Sequence, residues 1–209
     1  MSTPSLKVVV AITSPIAFHP LKNQNVLSTC LDACFEFISE YGASAHLAIA
    51  GTEEALLEVV DLECEKIQCD PNSAQEMAKS LKNAQPFELL MIHDSQRALT
   101  KVAQFQRVLE ALKVNIDAVR PASPFTETLK SISAEQYVDG TIDRNSMQRI
   151  STPELIRRSA IDFTGGASTW FVPLKIDAKT TTVDADSESA RINSEIEINL
   201  MKHLLDGNQ

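Results

Sequence analysis

Glycine is scarce in this chain, six residues in 209, and none lies between Ile12 and Pro20, where an apolar run empties into a loop. Without glycine a turn has no cheap positive φ and no close backbone approach to an anion, which excludes a glycine-rich phosphate loop at that position. Cysteine is also rare. Its four copies, Cys30, Cys34, Cys64 and Cys69, lack nearby histidine partners and are too few for a disulfide scaffold. Cys30 and Cys34 share a helix face at i, i+4, which fits either a two-thiol ligand pair or, more simply, two buried small hydrophobes. Basic residues are outnumbered, 19 Lys and Arg against 28 Asp and Glu, for a net charge of -9. No basic stripe is present to neutralise nucleic-acid phosphates, and polyphosphate binding would need a local cluster of Lys or Arg. No apolar run approaches membrane-spanning length, and the opening MSTPSLK lacks the apolar core of a signal peptide. The expected address is cytoplasmic, with neither membrane nor nucleic acid as partner.

What is present is an alternation. The length of 209 residues, with 44% hydrophobic and 22% charged, suits a single globular domain over 1–209. Lys7 to Ile12 reads as a strand buried on both faces. Val26 to Tyr41 places Leu27, Leu31, Cys34, Phe35 and Ile38 at helical spacing and ends at Gly42. His46 to Ala50 and Glu65 to Gln68 read as strands, with a short helix from Glu53 to Val60 between them. Asn72 to Leu81 reads as a helix opened by Asn72 and Gln75 at capping-box spacing. Phe87 to Ile92 is a strand whose end carries His93 and Asp94, and Lys101 to Leu112 is amphipathic. Ile116 to Pro121 is the next strand. This order defines an α/β fold of Rossmann-like type, a mostly parallel sheet with helices on both faces. Ligands of such sheets bind beyond the carboxyl ends of strands, here at Ile12 and His93.

After Pro121 the rhythm changes. Thr126 to Ser131 and Tyr137 to Ile142 have period-2 character, which predicts a protruding β-hairpin arm within 124–150. A two-stranded arm is marginal alone, so a second subunit is its natural support. STPELIRR then reads as a helix start, with Thr152 as N-cap, Pro153 at the first helical position and Glu154 in the first turn. Thr180 to Val183 reads as a last strand and Ile192 to Leu205 as a closing helix.

Four segments carry a resemblance: FHPLKNQNVLSTCLDA at 18–33, HDSQRALT at 93–100, DAVRPASPFTETLK at 117–130 and TIDRNSMQRISTPELI at 141–156. In order and spacing they resemble the methylerythritol phosphate cytidylyltransferase family of isoprenoid biosynthesis, a Rossmann-like nucleotidyltransferase fold. That family joins CTP and a sugar-alcohol phosphate to give a CDP-alcohol and pyrophosphate. The resemblance implies roles residue by residue. Asp94 falls on the aspartate near the nucleotide and its magnesium, a metal implied only if nucleotide is bound. Arg97 falls on the following arginine, and Arg191 stands where the family has a lysine. Thr128 and Lys130 fall on the arm. Arg144 falls on the arginine extended toward the sugar phosphate in the partner subunit's site, so a homodimer, or a heterodimer with a catalytic relative, is implied. Ser73 lies near a serine that approaches the cytosine ring. His93 is expected to orient its loop rather than transfer protons.

The chain also departs from the family. Its first loop resembles AAGxGxRM followed by lysine, whereas here Ile12 to Phe18 is roughly ten residues shorter by comparison with that pattern, holds Pro15, and meets its first positive charge at Lys22. The transfer reaction brings two anions together and relies on cationic stabilisation of the pyrophosphate. FTGGASTW at 163–170 has Gly165 and Gly166 where the family carries two acids, and DADSESARIN at 184–193 differs as well. Three readings follow. One is a divergent homologue with impaired or lost CTP-dependent transfer that acts by binding or regulation. Another is an active cytidylyltransferase using Lys22 or a partner's cation, with Asp94 and Arg191 in catalysis. The third is an unrelated α/β protein.

Overall fold

Val8 and Val10 point into one apolar cluster and Val9 and Ala11 into another, so strand β1 (Leu6–Ala11) is buried on both sides. Such burial is what a continuous apolar run produces in a parallel sheet covered on both faces. The computed structural model describes residues 3–206. Met1, Ser2 and residues 207–209, which the expected 1–209 domain includes, lie outside the described residues.

A 3₁₀ turn at Pro15–Phe18 follows β1, and a two-residue ribbon, β2 (Pro20–Leu21) and β3 (Gln24–Asn25), carries Lys22 in its turn. Helix α1 (Val26–Tyr41) starts where Asn25 accepts a hydrogen bond from Ser28 N–H at 2.7 Å. It ends at Gly42, whose φ of 95° is cheap only for glycine. Cys30 and Cys34 are buried on its core face, in the role of small hydrophobes. Strand β4 (Ala45–Gly51), helix α2 (Glu53–Leu57), strand β5 (Glu65–Gln68) and helix α3 (Ala74–Lys82) come next. They are followed by β6 (Leu89–Asp94), α4 (Val102–Ala111) and β7 (Ala118–Pro124). Strands β5, β4, β1 and β6 pair in parallel in that order. Helices α1 and α4 cover one face, where Phe105 sits between Phe37 and His93, and α3 covers the other through Met77, Ala78 and Leu81. The mostly parallel α/β sheet with helices on both faces is as the sequence implied.

The arm is a separate two-stranded antiparallel sheet, β8 (Leu129–Ile132) and β9 (Val138–Ile142). The chain returns along β10 (Gln148–Ile150), antiparallel to β7. Then comes the main correction. The STPELIRR segment is no helix. Thr152–Pro153 is a cis peptide, and Glu154–Arg157 forms strand β11, wedged antiparallel between β6 and β7. Leu155 and Ile156 explain why, since each is wholly buried and they enter opposite core clusters. Adjacent residues bury toward opposite faces in a strand, whereas in a helix they lie on one side. Strand β12 (Thr180–Asp184) extends the sheet parallel to β7, and helix α5 (Glu195–Asp206) packs on the α1 face through Ile198 and Met201.

A second correction concerns α3, whose cap is Ser73 and not Asn72. Ser73 Oγ accepts from Glu76 N–H at 3.3 Å, while the Asn72 amide is drawn away to Thr13 O at 3.1 Å and to Asp70. Strand β6 also runs two residues further than expected, so His93 and Asp94 are its last buried residues rather than the start of a loop. Among the described residues no helix is long and apolar enough to cross a membrane.

Candidate functional site

Asp94 ends β6 beside the end of β1, and register pairs it with Ala11. It is buried, and its carboxylate is fully engaged. Oδ1 accepts from Gln96 N–H at 3.1 Å and lies 3.0 Å from Thr13 Oγ1. Oδ2 accepts from Arg191 Nε at 2.6 Å. The same guanidinium reaches Gln96 Oε1 at 2.6 Å, Thr13 Oγ1 at 3.0 Å, and Asn193. Arg191 is held there by its neighbour. Ile192 is wholly buried, donates its N–H to Gln96 O at 2.9 Å, and accepts from the Gln96 side chain.

Behind Asp94 sits His93, buried against Phe105 with ring centroids 4.9 Å apart. Thr152 Oγ1 accepts from Asp94 N–H at 3.2 Å and lies 2.8 Å from His93 Nδ1. Thr152 thus holds both the end of β6 and the Nδ1 side of the His93 ring, whose Nε2 is buried without a hydrogen-bond partner among the described residues. Burial pushes the His93 pKa down to about 4. The ring is neutral at ordinary pH and orients Thr152 and the strand end.

Arg97 does not face Asp94 directly. Its Nη1 donates to Ser189 O at 2.6 Å and Nη2 to Ile150 O at 3.2 Å. Burial lowers its pKa; Asp94 opposes the shift, and Arg191 and Arg149 reinforce it. Arg97, Arg149 and Arg191 together line a cavity of about 270 Å³ with Ser151 and Ser189, and its two carboxylates, Asp186 and Glu197, are engaged by Arg107 and by the Asn193 N–H. The three guanidinium groups form the local cationic cluster that the acidic composition required of any anion site.

Next to it, a second cavity of about 270 Å³ spans Asp94, Thr152 and Glu154 below and Thr169, Trp170 and Phe171 above. Glu154 is buried and was missed as a site residue, because a local reading made it a first-turn helix acid. Its Oε2 accepts from Phe171 N–H at 2.9 Å, and Arg120 Nη1 lies 3.4 Å from Oε1. Burial raises the Glu154 pKa to about 7. Thr13, Gln96, Arg120 and Arg149 were missed too; single polar residues at strand ends have no motif that singles them out.

The glycine-poor loop is closed on itself. Ser14 Oγ accepts from Ile16 N–H at 3.2 Å, Ser14 O from Ala17 N–H at 3.2 Å, and Ile16 O from His19 N–H at 3.0 Å. Pro15 has no N–H to give. The adjoining cavity of about 680 Å³ is lined by Pro15, Phe18, Glu54, Glu58 and Asp70, a wall of carboxylates and apolar groups that opposes a triphosphate.

The structure therefore brings Asp94 and Arg191 together, and Arg97 lines the same cavity while its guanidinium bonds Ser189 O and Ile150 O. Ser73 is occupied as the α3 cap. Lys22, in the β2–β3 turn with φ 58°, does not line the Asp94 cavity. Thr128, Lys130 and Arg144 stay on the arm, where Lys130 Nζ bonds Thr141 Oγ1 at 2.6 Å and Arg144 Nη1 bonds Thr126 O at 2.7 Å.

A magnesium ion does not fit this arrangement. It demands oxygen ligands at about 2.0–2.1 Å in octahedral geometry, yet Asp94 Oδ2 holds a guanidinium nitrogen and Oδ1 faces two other groups. Among the described residues no group of three or more His, Cys, Asp or Glu could hold a metal.

A mostly parallel sheet with a polar cleft at its strand ends and a projecting hairpin is the architecture of an α/β nucleotidyltransferase. The family described as "IspD: 2-C-methyl-D-erythritol 4-phosphate cytidylyltransferase" matches residues 10–165. The chain belongs to that family. Over 124 residues it is 32% identical to the 2-C-methyl-D-erythritol 4-phosphate cytidylyltransferase of Nocardia farcinica (strain IFM 10152), covering 56% of this chain and 53% of that protein. Over 77 residues it is 35% identical to the enzyme of the same name from Rhodococcus jostii (strain RHA1), 34% of each chain. The matched stretches thus span about a third to a half of these relatives. Among solved structures, 4-diphosphocytidyl-2C-methyl-D-erythritol synthase from Anaerococcus prevotii DSM 20548 superposes with a TM-score of 0.78 at 17% identity, covering 98% of this chain and 100% of that one. The bifunctional IspDF from Campylobacter jejuni gives 0.72 at 16% identity, covering 95% and 54%. These likenesses show the fold.

Proposed function

We propose that this chain is a divergent member of its family that binds a phosphorylated small molecule at the cleft of Arg97, Arg149 and Arg191, with CTP-dependent transfer impaired or lost. The observation that carries the reading is the closed turn at Ser14–His19. The N–H groups of Ile16, Ala17 and His19 are spent on Ser14 and Ile16, so they are not available to cradle a triphosphate. Loss of a single donor of that kind costs an enzyme about 3–4 kcal/mol of transition-state stabilisation, and here several are absent while Glu54, Glu58 and Asp70 line the adjoining space. The ligand class is taken from the relatives' names, a sugar-alcohol phosphate such as 2-C-methyl-D-erythritol 4-phosphate.

In this reading the protein is cytoplasmic and acts as a binding or regulatory partner, as a homodimer or as a heterodimer with a catalytic relative. Segment 124–150 is the dimerising arm. Its exposed Ile132, Tyr137 and Val138 supply apolar surface for the contact, and Thr128, Lys130 and Arg144 are presented to the partner's cleft.

Asp94 and three arginines at the strand ends support a second reading, an active cytidylyltransferase in which Lys22 or a partner's cation replaces the loop and magnesium arrives with CTP. Isothermal titration with CTP and magnesium, then with methylerythritol phosphate, beside a cytidylyl-transfer assay on the same sample, separates the two. Heat from the sugar phosphate without turnover is the expected result. Formation of CDP-methylerythritol and pyrophosphate overturns it in favour of the second reading.

A further inference from the structure

The misfit at Asp94 has a positive content. A buried carboxylate needs a compensating charge, and the charge present is Arg191, whose Nε lies 2.6 Å from Oδ2. Arginine suits the place because its planar fork bonds several acceptors at once, which an ammonium does less well. Here the fork joins three stretches of chain: Thr13 after β1, Asp94 and Gln96 at the end of β6, and Asn193 beside Arg191 itself. The backbone pairing of Ile192 with Gln96 fixes the guanidinium before any ligand arrives.

We infer that Arg191 is the resident cation of this site, standing where a divalent ion would approach Asp94, and that it keeps Asp94 metal-free while masking a latent metal site beneath it. Two features make the exclusion effective. The guanidinium donates to Oδ2 through Nε, and its positive charge repels a dication a few ångströms away at a partly buried site. Removal of the side chain exposes a carboxylate flanked by Thr13 Oγ1 and Gln96 Oε1, which lie 2.8 Å apart. Three hard oxygen donors on one side suit magnesium or manganese completed by water. The inference depends neither on which ligand the arginine cleft takes nor on turnover.

The test uses manganese as the probe with the full chain and no nucleotide. Electron paramagnetic resonance reads free Mn²⁺ against protein for the wild type, Asp94→Asn, Arg191→Ala and the double variant. The wild type and Asp94→Asn are expected to leave the free-ion signal equally unaffected. Arg191→Ala is expected to gain one site at least about tenfold tighter than any in the wild type, and adding Asp94→Asn should remove it. Should the wild type bind Mn²⁺ in a manner that Asp94→Asn abolishes, the inference is overturned, and that comparison stands even if Arg191→Ala fails to fold. A folded Arg191→Ala protein that gains no site overturns it as well.

Discussion

The guanidinium of Arg120 lies 4.1 Å from the centre of the Trp170 ring. The same group donates to Thr169 O at 2.9 Å and approaches Glu154 at 3.4 Å, while Glu154 accepts the Phe171 N–H. One ion pair rooted in β7 and β11 thus ties down the segment that roofs the Asp94 cavity.

Replacing Arg120 by Met should release that roof. Breaking a buried pair by removing one partner costs about 3–5 kcal/mol, and the low end is expected because the Glu154 carboxyl, already near a pKa of about 7, can take up a proton. Trp170 is the single tryptophan, so its emission should shift to the red in the folded variant. Unchanged emission and an unchanged urea midpoint would show that the segment is held by something else.

Two buried groups oppose each other in their effect on pH stability. His93 falls from its ordinary 6.5 to about 4 in the native state, so the unfolded chain binds the extra proton; its stabilisation is present above 6.5 and lost as pH falls toward 4. Glu154 rises from 4.5 to about 7, so the native state binds the extra proton; its contribution is present below 4.5 and lost as pH rises through 7. Each amounts to about 3 kcal/mol in total by linkage, with opposite slopes between 4.5 and 6.5. Glu154→Gln should therefore unmask the His93 slope, and urea melts of this variant should lose stability on acidification through that window faster than the wild type does. Equal slopes for both proteins would be the contrary result.

The two glycines at 165 and 166 are predicted to behave differently. A Cβ at Gly165 would sit 2.7 Å from Pro173 Cβ and 3.0 Å from Asp162 Oδ2, whereas one at Gly166 meets nothing within 4 Å. Gly165→Ala should destabilise by about 1–3 kcal/mol, as overpacking does, and Gly166→Ala should stay within about 0.5 kcal/mol. Thermal melts of the pair suffice to check this.

Phe105 is wholly buried between Phe37, at 5.4 Å, and His93, at 4.9 Å between ring centroids. Phe105→Ala should cost about 3–5 kcal/mol, measured by chemical denaturation. A smaller loss would mean that α4 collapses into the vacancy.

The parallel half of the sheet, β5, β4, β1 and β6, was legible because its signals are local. Helix α1 has the bounds its periodicity predicts, Val26–Tyr41, and β5 likewise runs Glu65–Gln68. Residues 152–157 misled for a corresponding reason. Ser-Thr-Pro-Glu has the chemistry of a helix start, and only the vacant lane between β6 and β7, made by residues far away in sequence, turns it into a strand.

The site was legible where the family resemblance supplied positions. It pointed to Asp94 and Arg191, which the fold brings within hydrogen-bonding distance. It could not point to Thr13 or Gln96, whose role depends on the convergence of two strand ends. Nor could it reveal Glu154, whose burial follows from the unforeseen strand. Loss of the phosphate-loop pattern was plain from composition; the way the remaining N–H groups are satisfied within the turn required coordinates.

The insertion of β11 also governs the order in which this sheet can be completed as the chain is made. Strands β6 and β7 emerge early but cannot join each other, since the lane between them belongs to residues 154–157, beyond the whole arm. Until those residues leave the ribosome, two apolar strand edges face one another unpaired, the kind of edge that recruits foreign strands. Closure then spans a large loop, which slows folding. The arm is therefore a delay in the nascent chain, and a chaperone that shields β6 and β7 during that interval would act where this protein is most exposed to misassembly.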